Sequence, residues 1–341
     1  MTHETELMVT LWPSFPHFAD FAADTRLGGI RLNSAMMSSS ELDHELAIIK
    51  ATPDPVPLWF DIKGRQPRVV EVHENDSYLD ITLNHPIRVK TPTPVLFKAG
   101  ADSALLERVE GDGSRLIFRG GPQFKVRAGE SLHIRHPSFV IEGPLFTPAE
   151  VEKIAKVRAA GIKRWFLSYV EEQADVDQFL ELVGHDAEVM LKIESKAGLI
   201  FTAREFVKKP NLTLVAARGD LYVEIDHPHQ IAQKLRLIID ADPEAVVGSR
   251  ILLSVVKEPV PSCADFIDIA WLMDIGYRRM MLCDEMCLKG DLLTTAVNAF
   301  DAFRSGYRSP NAARVQKPAI SPDAIIARPE TLWSKIKHTF G

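Results

Sequence analysis

Cysteine is scarce in this chain: Cys263, Cys283 and Cys287 are the only three among 341 residues. So small and odd a count argues against a disulfide framework of the kind that staples small secreted proteins. Cys283 and Cys287 have the spacing of zinc ligands, but no second Cys or His pair of such spacing accompanies them, so no zinc site is expected. A reducing, cytoplasmic setting is the default expectation.

The sequence also lacks long apolar runs and an excess of positive charge. No run reaches the roughly 20 apolar residues of a membrane span, and the polar, acidic first residues do not resemble a signal peptide. The formal net charge is -6 and no basic stripe dominates, which argues against a nucleic-acid-binding protein. Neither nucleic acid nor a membrane is therefore an expected partner.

What the chain does contain is a regular alternation of short β-type runs and helical stretches, typical of a parallel α/β sheet. The predicted strands are 7–11, 29–32, 57–61, 164–167, 188–192, 212–216, 250–253 and 279–282. Eight such strands predict a (β/α)8 or TIM barrel. Where the alternation resumes, Thr147-Pro148-Ala149-Glu150 has the composition of a capping box at a helix start.

The pattern changes between about residues 67 and 143, where alternating β-type runs are separated by turn signals. No helix-period stretch stands out there, so this part predicts a small all-β domain inserted into the barrel. The predicted division is a barrel at 1–66 plus 144–305, an inserted β domain at 67–143, and a C-terminal tail at 306–341. The tail contains a short amphipathic helix at about 322–337. The inserted domain is expected to act as a lid over the barrel mouth.

Two acidic residues each follow an apolar run. Glu194 ends Val189-Met190-Leu191-Lys192-Ile193-Glu194, and Asp220 follows 212–219, which ends in Arg218-Gly219. Strand ends of a parallel barrel converge on one face, so both carboxylates are expected there. Two hard oxygen ligands beside the cations Lys192 and Arg218 predict a site for a divalent metal and an anionic, oxygen-rich substrate.

Other predicted strand ends also supply polar side chains to the same face. They are Arg31, Asn33, Asp61, Lys63, Ser168, Ser254 and Glu285. A single arginine or aspartate at a strand end is more often a salt-bridge partner than a catalyst. Polar groups at every strand end are harder to explain by packing, so the set predicts a functional site.

At these residues the chain resembles the pyruvate kinase family, over roughly residues 8–303. Two segments match that family nearly letter for letter: Lys192-Ile193-Glu194, and Ala217-Arg218-Gly219-Asp220-Leu221 with Val223-Glu224-Ile225. Weaker matches occur in the same order along the chain. They are Val9-Thr10-Leu11-Trp12-Pro13, Ile30-Arg31-Leu32-Asn33, Asp61-Ile62-Lys63-Gly64 with Arg68, and Leu167-Ser168-Tyr169-Val170.

The resemblance implies a role for each matching position. Glu194 and Asp220 would hold Mg²⁺ or Mn²⁺ against the enolate and carboxylate of pyruvate, and Lys192 would stabilise charge on the transferring phosphoryl group. Arg31 would contact the phosphate, and Ser254 would stand for the threonine tied to proton transfer at the enol carbon. The other implied positions are Asn33, Asp61, Lys63, Ser168, Arg218 and Gly219 around the substrate, and Arg68 and Lys289 on the nucleotide or phosphate side.

The chain also departs from the family pattern. The serine that ligates potassium in the family becomes Ala35, the nucleotide-side histidine becomes Met36, and the glutamate associated with potassium dependence becomes Gln66 beside Arg65. A potassium site is therefore expected to be weak or absent. The family's eighth-strand Ser-Gly-Glu-Thr-Ala becomes Cys283-Asp284-Glu285-Met286-Cys287. We expect a short, divergent member without the family's C-terminal domain, which removes a usual subunit contact although an oligomer remains possible.

Three functions remain open on these residues. The first is pyruvate-kinase-like, metal-dependent phosphoryl transfer between phosphoenolpyruvate or pyruvate and a nucleotide (ADP/ATP) or another acceptor. The second is a metal-dependent lyase or aldolase that forms an enolate from a 2-oxo acid. The third is a non-catalytic relative that binds a metabolite. Retention of Lys192, Glu194, Asp220 and a hydroxyl at Ser254 disfavours the third. The changes at Ala35, Met36 and Cys283-Asp284 disfavour an unaltered kinase.

Overall fold

The structure is a computed structural model that describes residues 5–37, 39–53, 55–73 and 78–308. Three strands and two helices come first: β1 (Glu6–Thr10), α1 (Phe18–Ala22), β2 (Leu27–Asn33), α2 (Ser39–Ala51) and β3 (Leu58–Ile62). The three strands are parallel, and β2 lies between β1 and β3. They begin a barrel that the later strands close.

Along the chain, eight short strands lie between β3 and the next barrel strand. They are β4 (Val69–His73), β5 (Asp80–Leu83), β6 (Ile87–Arg88), β7 (Thr93–Phe97), β8 (Asp102–Glu110), β9 (Arg115–Arg119), β10 (Leu132–His133) and β11 (Val140–Ile141). Six of them form one antiparallel sheet in the order β10-β7-β8-β9-β5-β4, and β11 pairs with β6. This region has its own core, which includes Phe97 and Phe118.

The remaining elements alternate helix and strand. They are α3 (Pro148–Ala159), β12 (Arg164–Leu167), α4 (Gln173–Val183), β13 (Glu188–Ile193), α5 (Lys196–Arg204), β14 (Leu212–Ala217), α6 (Arg218–Glu224), α7 (Ile231–Ala241), β15 (Val246–Gly248), α8 (Cys263–Ile275), β16 (Arg279–Met281), α9 (Asp284–Cys287) and α10 (Gly290–Gly306). The eight parallel strands close in the order β1-β16-β15-β14-β13-β12-β3-β2, which confirms the predicted (β/α)8 barrel. The predicted helix at about 322–337 lies outside the described residues.

All the predicted barrel strands overlap observed ones except 250–253, the seventh along the chain, which was placed wrongly. Residues 250–253 are a turn and the start of a 3-10 helix, and β15 lies at Val246–Gly248 instead. Ser249, Arg250 and Leu252 have φ values of 68°, 61° and 53°, so the extended backbone ends directly after Gly248. Ile251 and Leu252 are fully buried, which explains why an apolar run in a turn was mistaken for a strand.

The capping box predicted at the start of α3 is present and also braces the loop after β3. Thr147 and Glu150 exchange the expected backbone contacts, and Glu150 Oε1 also accepts a hydrogen bond from the Gly64 backbone N–H at 3.0 Å. Gly64 has a φ of +54°, a conformation in which a side chain would be strained. The first turn of α3 therefore holds the loop that carries Lys63.

Candidate active site

Strand alternation divides the barrel interior into an apolar floor and a polar layer above it. Side chains two residues apart on a strand face the same way. The floor consists of Met8, Trp59, Phe166, Met190, Val215, Val246 and Met281. Two residues further along four of these strands stand Thr10, Asp61, Ser168 and Lys192, all buried. The polar layer thus lies at the carboxyl ends of the strands, where barrel enzymes carry their chemistry.

Asp61 is the centre of the polar layer. Its Oδ2 accepts hydrogen bonds from Arg31 Nε at 2.7 Å and from Lys63 Nζ at 2.6 Å. Lys192 Nζ lies 3.6 Å from the same oxygen. Oδ1 accepts a hydrogen bond from Ser168 Oγ at 3.2 Å. One buried carboxylate therefore links four of the residues predicted from strand ends.

The charged side chains around Asp61 shift one another's pKa values. Burial opposes ionisation of Asp61, but the positive charges of Lys192, Lys63 and Arg31 hold its pKa far below the usual range. Burial lowers the pKa of Lys63 well below its usual value, with Arg31 and Lys192 adding repulsion while Asp61 opposes the shift. Asp61 is thus shared by three basic side chains, of which Lys192 also approaches Glu194 and Arg31 also contacts Asp284.

Lys192 connects Asp61 to Glu194, the residue that directly follows β13. Its Nζ donates a hydrogen bond to Ser168 Oγ at 2.8 Å and lies 3.0 Å from Glu194 Oε1. Glu194 Oε2 accepts a hydrogen bond from the Tyr169 backbone N–H at 2.8 Å. Glu194 Oε1 is buried, and no described residue donates a hydrogen bond to it in acceptable geometry.

Asp220 stands in the first turn of α6 and contacts a histidine from the inserted sheet. His133, on β10, places Nε2 3.3 Å from Asp220 Oδ1 and Nδ1 2.7 Å from Glu224 Oε1. Burial of His133 opposes its charge, but the nearby carboxylates of Asp220 and Glu224 raise its pKa to about 9. Burial likewise opposes ionisation of Asp220, yet His133 and Lys192 hold its pKa below the usual range.

Glu194 and Asp220 are neighbouring carboxylates that influence each other's ionisation. Burial, together with the negative charge of Asp220, raises the pKa of Glu194 to about 7 against the opposing charge of Lys192. Within the described residues no cluster of three or more His, Cys, Asp and Glu could hold a metal ion. Mg²⁺ commonly uses only one or two carboxylates and takes its other oxygens from water and substrate, so the buried Glu194 Oε1 and ionised Asp220 fit this ion.

On the opposite side of the barrel mouth, Arg31 and Asn33 bind a carboxylate for which the sequence had predicted no contact. Asp284, the first residue of α9, accepts hydrogen bonds from Arg31 Nη1 on Oδ1 and from Asn33 Nδ2 on Oδ2, both at 2.8 Å. Sequence reasoning retained Glu285 from this segment instead. The position of Asp284, three residues after the end of β16, was a usable signal for its role.

Arg218 and Gly219 lie at the start of α6, but the Arg218 side chain binds Asp268 and the Ser249 backbone carbonyl. It forms two hydrogen bonds to Asp268, at 2.8 and 2.9 Å, and its Nη2 donates to the Ser249 carbonyl at 2.7 Å. A Cβ on Gly219 would stand 3.3 Å from Ser249 Oγ. The hydroxyl that adjoins the Arg218-Gly219-Asp220 segment therefore belongs to Ser249.

Ser254, predicted at the end of the seventh strand, is not there. It lies in a 3-10 helix beyond the turn, where it donates a hydrogen bond to Asp265 and its Oγ accepts one from the Ser262 backbone N–H at 2.9 Å. Those residues form the capping box that begins α8. The error follows from the misplaced strand. β15 ends at Gly248 rather than at residue 253, so the residue that directly follows the seventh barrel strand is Ser249.

Two residues predicted for the nucleotide or phosphate side lie at the margin of the site. Arg68 donates to Gln66 Oε1 through Nε at 2.7 Å and to the Gly129 carbonyl through Nη1 at 2.5 Å. Lys289 is exposed and directly precedes α10. His133, by contrast, was missed because its importance arises from a contact between distant segments, which leaves no local pattern.

Fold and site together define a (β/α)8 barrel with a charged, buried layer at its carboxyl-end mouth. A family profile described as "Pyruvate kinase, barrel domain" matches residues 125–297, just over half of the chain. The chain therefore belongs to the pyruvate kinase family. In the described residues, no helix is both long and apolar enough to cross a membrane.

Individual relatives carry the same name at low identity. The pyruvate kinase of Methanocaldococcus jannaschii is 26% identical over 303 residues, covering 84% of this chain and 65% of the relative. That of Dictyostelium discoideum is 23% identical over 272 residues, covering 71% and 53%. The chain thus spans between about half and just under two thirds of the length of these two relatives. The solved pyruvate kinase of Pyrobaculum aerophilum superposes with a TM-score of 0.64 at 18% identity, covering 89% of this chain and 74% of that one, which shows the shared fold.

Proposed function

We propose that this barrel catalyses phosphoryl transfer between phosphoenolpyruvate or pyruvate and a nucleotide or other acceptor, with Mg²⁺ or Mn²⁺. The observation that carries the proposal is the chain of contacts from Asp61 through Ser168 and Lys192 to Glu194. It ends at a buried carboxylate oxygen, Glu194 Oε1, which lies 3.0 Å from Lys192 Nζ but accepts no hydrogen bond of acceptable geometry from the described residues. Phosphoryl transfer requires fixed cations and metal ligands around spread negative charge, and this layer offers both.

Glu194 and Asp220 are the residues that would hold the ion, whose chemistry is to polarise the oxygens of a bound enolate and carboxylate. Lys192 stands beside Glu194 with its ammonium on the Ser168 hydroxyl, so it would stabilise charge on an enolate or phosphoryl oxygen. Asp61 keeps Lys192, Lys63 and Arg31 in place. A preorganised cation costs no reorganisation when charge develops.

We also propose that the segment of residues 67–143 is a domain that covers the mouth as a lid, with 1–66 and 144–305 forming the catalytic barrel. The support is its direct contact with the metal-side residues: His133 reaches Asp220 and Glu224, and Arg135 Nη2 donates to the Ile225 carbonyl at 2.9 Å. A cover that excludes water strengthens every electrostatic interaction beneath it. Arg68 and Lys289 remain candidates for the phosphate or nucleotide side.

The decisive experiment supplies phosphoenolpyruvate, ADP and Mg²⁺ or Mn²⁺ without potassium, and measures pyruvate and ATP separately. Both products are expected in equal amounts. Lys192→Met should reduce turnover by about a hundredfold to a thousandfold, the range seen when one preorganised charge-stabilising donor is removed. Lys163→Met is the matched control, because Lys163 pairs with Asp186 on the exposed surface. Equal loss in both variants would contradict the assignment of Lys192.

A second candidate function is favoured by one observation: Arg31 and Asn33, which would contact the phosphate, already donate hydrogen bonds to Asp284. If no product forms with any cation, the same protein should be tested for metal-dependent exchange of the methyl protons of pyruvate in deuterium oxide. Exchange without phosphoryl transfer would indicate an enolate-forming lyase or aldolase that acts on a 2-oxo acid. Metabolite binding without either reaction would indicate a non-catalytic relative.

A further inference from the structure

We propose that Asp284 is an intramolecular anion that occupies an oxyanion-binding position formed by Arg31 and Asn33. It would thereby set how tightly the barrel binds a tetrahedral oxyanion such as inorganic phosphate or a phosphoryl group. The inference rests on the proposed function only for the statement that this position faces the phosphoryl side of the substrate. The anion position itself is argued from the contacts below.

The two carboxylate oxygens of Asp284 are held in the way that an oxyanion would be. Arg31 Nη1 donates to one oxygen and Asn33 Nδ2 donates to the other, each at 2.8 Å. Guanidinium and amide N–H groups make equivalent hydrogen bonds to carboxylate and phosphate oxygens, and arginine is the side chain best matched to either anion. The same two donors can therefore bind phosphate oxygens once Asp284 withdraws.

Asp284 is also the partner of Arg31 that solvent reaches. Its side chain is 47% exposed, whereas that of Arg31 is 9% exposed. Arg31 Nε and Nη2 are directed at Asp61, whose side chain is fully buried. Asp61 therefore anchors the guanidinium from below while Nη1 is presented toward the mouth. Rotating Asp284 outward would expose this donor without disturbing the buried pair.

The surrounding charge attracts an anion to this position. Arg31, Lys63 and Lys192 surround the single carboxylate of Asp61. Although burial opposes its ionisation, Arg31 and Lys63 lower the pKa of Asp284, so its carboxylate is ionised at neutral pH. An ionised carboxylate and an incoming phosphate cannot share the same donors, because like charges at contact distance repel strongly. Phosphate binding must therefore displace Asp284.

The test is isothermal titration calorimetry of the full chain with inorganic phosphate, without metal, nucleotide or phosphoenolpyruvate. Asp284→Asn keeps the shape of the side chain and removes its charge, and Asp284→Ala removes both oxygens. We expect phosphate to bind roughly tenfold more tightly to each variant than to the unmodified protein, because a charge-assisted competitor is gone. Adding Arg31→Lys to Asp284→Asn should reverse most of this gain.

Asp186→Asn is the matched control, because Asp186 also forms a 3.0 Å ion pair, with Lys163. It precedes the amino end of β13, opposite the mouth. Unchanged phosphate affinity in both Asp284 variants, with melting temperatures that show folded protein, would overturn the inference. So would an equal gain in Asp186→Asn, which would reveal a general effect of net charge. If phosphate binding tightens as expected while phosphoenolpyruvate is never turned over, the proposed function fails and the anion position stands.

Discussion

The two sides of the barrel mouth differ in what their charged groups contact. On the carboxylate side, defined by Glu194 and Asp220, one buried oxygen of Glu194 has no hydrogen-bond donor among the described residues. On the arginine side, defined by Arg31 and Asn33, both donors are taken by Asp284. The first side thus holds a buried carboxylate oxygen that lies 3.0 Å from the Lys192 ammonium but accepts no hydrogen bond from the described residues, whereas the second side supplies its own anion.

The two sides also differ in how they use the residues that match the family. The carboxylate side retains the residues that match the family most closely, namely Lys192, Glu194 and Asp220. The arginine side retains Arg31 and Asn33 but engages them internally. The same change should therefore have opposite effects on the two sides. Removal of a carboxylate should weaken ligand binding on the first side and strengthen it on the second.

The largest expected effect lies on the carboxylate side. Under the proposed function, Glu194→Gln should reduce turnover by up to about a thousandfold, because it would remove a charged metal ligand beside the reacting oxygens. Mn²⁺ should raise the melting temperature of the unmodified protein, and this rise should vanish in Glu194→Gln. It should also be larger at pH 8 than at pH 6, because the pKa of Glu194 is about 7 and a bound proton competes with the metal.

Glu188→Gln provides the control for this prediction. Glu188 begins the same strand at its opposite end and pairs with Arg164 on the surface, at 3.1 Å. Its substitution should leave both turnover and the Mn²⁺-dependent rise in melting temperature unchanged. A rise of equal size in Glu194→Gln would mean that the metal binds elsewhere, and the contrast between the two sides of the mouth would be lost.

The next effect concerns the histidine that links the inserted sheet to the carboxylate side. The pKa of His133 is raised to about 9 from an unfolded value of about 6.5. Its charged form therefore contributes stability that is fully present below about pH 6.5 and is lost as the pH rises through 9. His133→Gln should lower the free energy of unfolding by up to about 3 kcal/mol below pH 6.5, and by progressively less at higher pH.

Chemical denaturation between pH 6 and 10 measures this difference. His185→Gln is a suitable control, because His185 lies on the exposed surface near Glu181, at 3.4 Å. A stability difference between His133→Gln and the unmodified protein that does not change with pH would show that His133 acts through packing rather than charge.

A smaller effect should separate the two serines near the seventh strand. Ser254→Ala should cost about 1 kcal/mol in stability, because it removes hydrogen bonds around the capping box of α8, and leave turnover nearly unchanged. Ser249→Ala should instead lower kcat more than it lowers the melting temperature, since Ser249 lies against Gly219. The opposite pattern would restore Ser254 as the residue of the site.

The smallest expected effect is that of potassium on the arginine side. The charges of Arg31, Lys63 and Lys192 already surround Asp61, and Ala35 and Gln66 offer no anionic ligand. Potassium chloride should therefore leave turnover unchanged relative to tetramethylammonium chloride at equal ionic strength. Many-fold activation by potassium alone would contradict this reading of the site.

The barrel was predictable because its signals are local and repeated. Apolar β-type runs followed by helical stretches identify buried parallel strands, and the inward residues Asp61, Ser168 and Lys192 follow from a period of two. The strand at β15 was not predictable in this way, since the apolar residues Ile251 and Leu252 are buried in a turn. Composition alone does not separate a buried turn from a buried strand.

Contacts between distant segments formed the other limit. His133 and Asp220 are separated by more than eighty residues, and nothing around His133 marks it as a partner of α6. Asp284 was visible at a strand end, but its pairing with Arg31 depends on how the last strand closes the barrel against the first. Long-range electrostatic partners are set by closure of the fold, which local patterns do not encode.

The apolar floor beneath the polar layer has a consequence for how this family member can vary. Met190, Phe166 and Trp59 leave Asp61 and Lys63 no water below to compensate a missing charge. Removing one member of a buried charge cluster is strongly destabilising when it leaves another charge uncompensated. A neutral residue at 61 removes the carboxylate that Arg31, Lys63 and Lys192 share, whereas a neutral residue at 63 leaves Asp61 paired with Arg31. In a library of random variants, neutral residues should therefore survive far more often at position 63 than at position 61.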